Sequence, residues 1–310
     1  MAPIPGLATA LLPLALFILI GWAIGRAKKV DLSPIATLLV YAISPVVAFG
    51  STAQMAFDSS YVFLPLVTYI LAAACGMGTF ALGKGFVLQK HDSVYLLPNA
   101  TGTGNNGYFG LPLAMAVFAP EYIGVYFLAM LGPTIFESTF GYYFIARGRL
   151  PMRAALARVA RLPMLYAIAL GMIFSKAGIA LDPGIVKLWE SSRGAYVSLG
   201  MMLIGLALAR HGKLVWEKNF TALCMAGKYG FWALGAIALI WLDTHTFKIY
   251  NAEVHKMLLI LSVTPVAANT VAYAAEHDFK PELAASVVFI TTVASCLFLP
   301  FALNIILAWA

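Results

Sequence analysis

The chain has 310 residues, of which 62% are hydrophobic and only 11% charged, where an ordinary globular domain carries about 25% charged residues. That balance excludes a soluble globular protein and implies an all-α polytopic membrane protein. The formal net charge of +7 would suggest nucleic acid in a soluble chain; here it is read as Lys and Arg kept in cytoplasmic loops, and no nucleic-acid partner is expected.

Ten apolar segments are expected, at about 20 residues per span. They cover residues 9–25, 33–53, 61–83, 93–119, 122–146, 162–179, 195–209, 220–242, 254–275 and 281–307. The seventh is short and is expected to begin earlier, in the amphipathic run 183–193. No Lys or Arg precedes the first segment. It therefore lacks the basic start of a cleavable signal peptide and reads as a retained span.

Loop charge sets the expected orientation. One set of loops holds Arg26, Lys28, Lys29, Lys84, Lys90, five arginines between Arg147 and Arg161, Arg210, Lys213, Lys218 and Lys280. The opposite set holds only Lys176, Lys187, Arg193, Lys248 and Lys256. The richer set belongs in the cytoplasm, which puts both termini outside the plasma (inner) membrane. The basic linker at residues 147–161 separates five spans from five. With an odd number per half, residues 151–310 re-enter from the opposite side to residues 1–150. That predicts two inverted five-helix repeats, a common transporter plan.

Within the fourth segment lies Asn99-Ala-Thr-Gly-Thr-Gly-Asn-Asn-Gly-Tyr-Phe-Gly-Leu-Pro112. Each Gly costs a helix about 1 kcal/mol and Pro about 3 kcal/mol against Ala. Pro112 cannot donate to the carbonyl of Tyr108, so a helix break is expected there. Freed backbone groups survive at membrane depth only when buried in protein or lining a wet cavity. Gly102-Thr-Gly104-Asn-Asn-Gly107 also matches the dinucleotide pattern G-x-G-x-x-G. That motif requires a preceding strand, and an apolar span does not provide one. The repeat predicts a matching break in the ninth span, where Thr264-Pro-Val-Ala-Ala-Asn-Thr270 occurs. Pro265 should free the carbonyl of Leu261. Paired interruptions in corresponding spans are the best sequence pointer to a transport site, and the two breaks are expected to cross.

Several motifs together carry a family resemblance. They are Gly21-Trp-Ala-Ile-Gly25, Tyr41-Ala-Ile-Ser-Pro45, Asn106-Gly-Tyr-Phe-Gly-Leu-Pro-Leu113, Thr264-Pro-Val-Ala-Ala-Asn269 and Pro281-Glu-Leu-Ala-Ala-Ser286. Nearly the whole chain resembles the auxin efflux carrier family, which includes plant carriers and bacterial permeases for small organic acids. The resemblance implies ten spans, a scaffold part, a mobile transport part, two crossing broken helices and a homodimer. The chain lacks the long central hydrophilic loop of many plant members, as a compact bacterial-type member would. It departs from the family pattern in the eighth span, where Trp232 stands in place of a Pro one turn after Lys228.

Backbone physics at two breaks supports an organic anion at the helix N-termini, a cation at the carbonyl ends, or both. The resemblance favours a carboxylate, carried by a secondary transporter through alternating access. The expected binding residues are Thr103, Asn105, Asn106, Gly107, Glu137, Ser138, Tyr142, Thr264 and Asn269, with Pro112 and Pro265 shaping the breaks. The bland alternative for the polar groups is interhelical hydrogen bonding, worth about 0.6 kcal/mol per contact; clustering with Gly and Pro argues for the site. Glu137 is the one acidic residue deep in a span, followed by Ser138 and Tyr142. Such a carboxylate is a functional candidate by default and is expected to carry a coupling proton, unless it only bonds a neighbouring helix.

Lys228 is the basic counterpart. It could balance an anion or pair with Glu137, but snorkelling to the cytoplasmic interface is the preferred reading. Glu276, His277, Asp278 and Glu282 read as a solvated loop. Cys75, Cys224 and Cys296 read as small core residues without metal spacing. No metal ligand set or cofactor is expected, and no motif of an intramembrane enzyme is present. Two rivals remain: a sodium-coupled symporter like the bile-acid carriers, and a non-transporting sensor on a transporter fold. Sodium is the less favoured ion, because only Glu137 offers an acidic ligand.

Overall fold

The computed structural model describes residues 7–146, 160–209 and 214–308, with positions 153 and 157 between them. Arg147, Arg149, Arg158, Arg210 and Lys213, used above for orientation, lie outside the described residues. No strand occurs among the described residues, so the G-x-G-x-x-G match lacks the strand that a nucleotide site needs.

The helices, in chain order, begin with α1 (Leu7–Ala27), α2 (Leu32–Ala53), α3 (Ser59–Val87) and the short α4 (Leu97–Gly102). Next come α5 (Leu111–Val117), α6 (Pro120–Ile145), α7 (Pro163–Ala177) and α8 (Pro183–Ala209). The last are α9 (Lys218–Phe247), α10 (Ala252–Val263), α11 (Asn269–Glu276) and α12 (Pro281–Leu307). Among them, α2, α3, α6, α8, α9 and α12 are six helices long and apolar enough to cross a membrane. Shorter apolar helices cover Leu12–Ala27 and Pro163–Ala177. The protein is a multi-pass membrane protein. As expected for the seventh apolar segment, α8 starts at Pro183. The Arg193 guanidinium, 4.8 Å from the ring of buried Trp189, supplies a cation–π contact within its polar first part.

The chain divides into two compact units that do not follow its two halves. One comprises Met1–Val62, Gly107–Leu128 and Leu162–His211; the other comprises Phe63–Asn106, Ala129–Arg161 and Gly212–Ala310. Each takes segments from both sides of residue 150.

In the first unit, α1 packs along α8. A Cβ added to Gly21 would strike the backbone of Met202, and one on Gly205 would strike the backbone of Ile18. Small residues there let the two backbones approach, the usual device of helix pairs in lipid. Against α2, α7 brings Phe174 edge-on to Phe49 at 5.3 Å. Ser175 Oγ donates to the Met55 carbonyl at 2.6 Å.

In the second unit, Leu96, Leu97 and Ala100 beside the α4 break share one apolar cluster with Val266 and Ala274, at and after the second interruption. Ile145, Phe220, Cys224 and Leu283 complete its centre. Close packing of these side chains anchors two irregular segments that have little helical hydrogen bonding of their own.

The reading of the cysteines needs one correction. Cys75 and Cys224 are buried, but Cys296 is exposed. It follows buried Ser295 on α12, and one residue turns a helix by about 100°. That rotation puts Cys296 beside exposed Leu297, on the helix's apolar outer face.

Candidate functional site

The helical segments that end at Gly102 and Val263 are both interrupted within the second unit. The first stops at Gly102, with Thr103 in an extended conformation (φ −132°, ψ −178°). Helical structure resumes as a π turn at Asn106–Gly110 and continues into α5. The second stops at Val263 and resumes at Asn269. The first gap therefore lies at Thr103–Asn105, upstream of the expected break at Pro112. Pro112 sits in the first turn of α5, where a missing N–H costs least, and the wider π turn precedes it. Pro265 lies inside the second gap.

The two gaps are joined directly. The Asn105 N–H donates to the Pro265 carbonyl at 2.7 Å. Thr264 Oγ1 lies 2.9 Å from both Asn106 Oδ1 and the Leu261 carbonyl, and donates its single proton to one or the other. Gly104 is required by this approach: a Cβ there would collide with Thr264 Oγ1 and stand 2.7 Å from Lys228 Nζ. Thr103, Asn105, Asn106 and Thr264 are all buried. Gly107 falls in the other unit, where a Cβ would stand 3.1 Å from the Tyr196 hydroxyl.

Lys228 does not snorkel. It is fully buried, and its ammonium donates to the Leu261 carbonyl at 2.9 Å. That is the carbonyl that Pro265, four residues on, cannot serve. The negative end of the α10 dipole attracts a cation more strongly than a stretch toward the interface rewards the side chain. Trp232 covers the other side, with its ring centroid 4.7 Å from Lys228 Nζ. Its indole N–H donates to the Thr101 carbonyl at 2.6 Å, at the end of α4. One turn of α9 thus serves the carbonyl ends of both interrupted helices. The departure at Trp232 acquires a physical role, because Pro has neither an aromatic ring nor a donor to offer.

Glu137 is buried and opens the π turn Glu137–Gly141 of α6, while Lys228 lies in the π turn Ala226–Phe231 of α9. Such turns recur at functional sites. The Asn269 side chain, at the start of α11, lies near the Glu137 carboxyl. Glu137 Oε1 is buried with no hydrogen-bond partner among the described residues. Glu137 and Lys228 form no ion pair among the described residues, since the ammonium is bonded to Leu261. Ser138 is buried beside Glu137. The Tyr142 hydroxyl donates to Glu276 Oε1 at 2.7 Å, and its ring packs on Tyr273 and His277. Glu276 and Asp278 are exposed, as a solvated loop requires, yet Tyr142 ties that loop to α6.

Sequence reasoning omitted Asn99 and Thr270 from the site. Thr270 Oγ1 donates to Asn99 Oδ1 at 2.7 Å, and Asn99 Nδ2 donates to the Glu137 carbonyl at 3.3 Å. Asn99 thereby links the first interruption, the second and the Glu137 turn. Its signal was its place at the head of the polar stretch; Thr270 follows Asn269 directly. Among the described residues no group of His, Cys, Asp and Glu is placed to hold a metal ion.

No family model matches the chain. It is similar to the uncharacterized transporter MJ1031 of Methanocaldococcus jannaschii, with 24% identity over 288 residues. The match covers 88% of this chain and 89% of that protein. At this level of identity the two are distant homologues across nearly their whole lengths.

Proposed function

We propose that the protein is a secondary transporter of a small organic carboxylate, working by alternating access. The observation that carries this reading is the meeting of two interrupted helices through Asn105–Pro265 and Asn106–Thr264. Irregular backbone at membrane depth belongs where it lines a binding site. The distant relative bears the name of a transporter. The finer architecture belongs to the same proposal: ten spans, two inverted five-helix repeats, both termini outside the cytoplasm, and a homodimer.

Charge favours an anion. The Lys228 ammonium offsets the negative end of α10, where it binds Leu261. The positive ends of the helical segments that begin at Asn106 and Asn269 remain to attract a carboxylate. Asn105 and Asn106 add neutral amide donors. Glu137, near Asn269, is the group to carry a coupling proton, since two carboxylates sharing one site need a proton between them. The chain is not proposed to be an enzyme.

Uptake of labelled carboxylates into proteoliposomes under separately imposed pH, sodium and voltage gradients tests the reading. Flux of one acid that is lost in Asn106→Ala, in protein shown to be folded, is the expected result. Flux that depends on sodium would favour the symporter alternative. High-affinity binding without flux would favour a sensor on this fold. Wild-type rate and KM in Asn106→Ala would refute the site.

A further inference from the structure

We propose that Lys228 is a tethered cation, its ammonium filling the place at the crossing of the two breaks where a carrier of this design would otherwise bind a monovalent metal ion. The proposal concerns the coupling ion of the transport reading, but its test reads stability rather than flux, so either can fail alone.

Three observations support it. First, Lys228 Nζ binds the Leu261 carbonyl at 2.9 Å, an oxygen left without its helical donor by Pro265. Half-helix carbonyl ends of this kind coordinate sodium in carriers with interrupted helices. Second, the ammonium stands against the other break: a Cβ on Gly104 would lie 2.7 Å from Nζ. Thr264 Oγ1, within 2.9 Å of Leu261 O and of Asn106 Oδ1, adds neutral oxygen atoms to the same place. Third, the Trp232 ring faces the ammonium at 4.7 Å, a contact that stabilises a positive charge.

The sign of the charge matters here. A fully buried ammonium ordinarily requires a carboxylate partner. Among the described residues Lys228 has none; its ammonium is bonded to the Leu261 carbonyl and faced by the Trp232 ring, beside the Gly104 backbone. A carbonyl oxygen at a helix end and an aromatic face are groups that also attract a sodium or potassium ion, and here a covalently attached amine meets them. Truncating the side chain at Cβ should leave a cavity beside the Leu261 carbonyl, open to a small cation from solution.

The experiment is thermal unfolding of purified protein in detergent, with chloride salts of choline, sodium, potassium and methylammonium at equal ionic strength. Wild type should melt at one temperature in all four. Lys228→Ala should melt lower in choline and recover saturably with sodium, potassium or methylammonium. Lys228→Met, which keeps the stem and fills the cavity, should melt lower and recover with none of them. Saturable stabilisation of the wild type by sodium over choline would overturn the proposal, and this arm needs no variant to fold. Lys228→Ala that responds to none of the cations, or that melts with the wild type in choline, would overturn it equally.

Discussion

Replacing Gly104 by Ala tests whether the crossing is as close as described. The added Cβ would meet Thr264 Oγ1 well inside contact distance and Lys228 Nζ at 2.7 Å. The Thr264 hydroxyl must turn away from Asn106 and Leu261, both now 2.9 Å distant. Lost interhelical hydrogen bonds in a membrane average about 0.6 kcal/mol each, and overpacking a tight site costs about 1–3 kcal/mol. Together these predict a loss of roughly 2–4 kcal/mol. Gly104 lies outside any helix, so Ala recovers little helix propensity there. Gly78, inside α3, provides the control: a Cβ on it meets nothing within 4 Å. Gly78→Ala should therefore stabilise by about 0.5–1 kcal/mol. Thermal unfolding of both variants in one detergent checks the pair. If the two shift in the same direction by similar amounts, the close approach at Gly104 is refuted.

Variants at three further positions test other details of the structure. Trp232→Phe keeps an aromatic ring but removes the donor to Thr101 O; leaving that buried carbonyl unsatisfied should cost about 1–3 kcal/mol, and unchanged thermal stability would remove its capping role. Gly178 ends α7 with φ +64° and open space around it. Gly178→Ala should therefore lose about 1–2 kcal/mol through backbone strain alone, with Gly178→Asn milder, and equal melting of all three proteins would contradict this. Glu137→Gln should abolish the pH dependence of uptake; an unaltered pH profile would return Glu137 to a structural role.

Much of the candidate site was legible because local chemistry announces it. Pro265 lacks an N–H wherever it stands, so the loss at Leu261 O followed from a spacing of four residues. The Gly and Asn cluster from residue 99 to 107 could not sustain a lipid-facing helix, and an interruption does occur there. Its position was misjudged by several residues because Pro112 was weighed as a helix breaker. One turn into a helix it is tolerated, whereas Gly102, Thr103 and Gly104 together leave the chain no reason to stay helical. Lys228 was misread for a different reason. Snorkelling is the rule for a Lys whose surroundings are unknown, and its actual partner, Leu261, lies 33 residues away in sequence.

The sequence by itself determined that this is a helical membrane protein, where most of its helices run, and which two segments must break. Those outcomes follow from hydropathy over about 20 residues and from the missing N–H of Pro or the missing Cβ of Gly, which act within one turn. Only the tertiary structure decided what each break meets. Asn105 finds Pro265, Lys228 and Trp232 serve carbonyls on separate helices, and Asn99 joins Thr270 to the Glu137 turn. A buried backbone group must find a partner somewhere, but with no water in the membrane core the partner is whichever side chain the fold brings near. That choice depends on packing between segments far apart in the chain, and no local pattern records it.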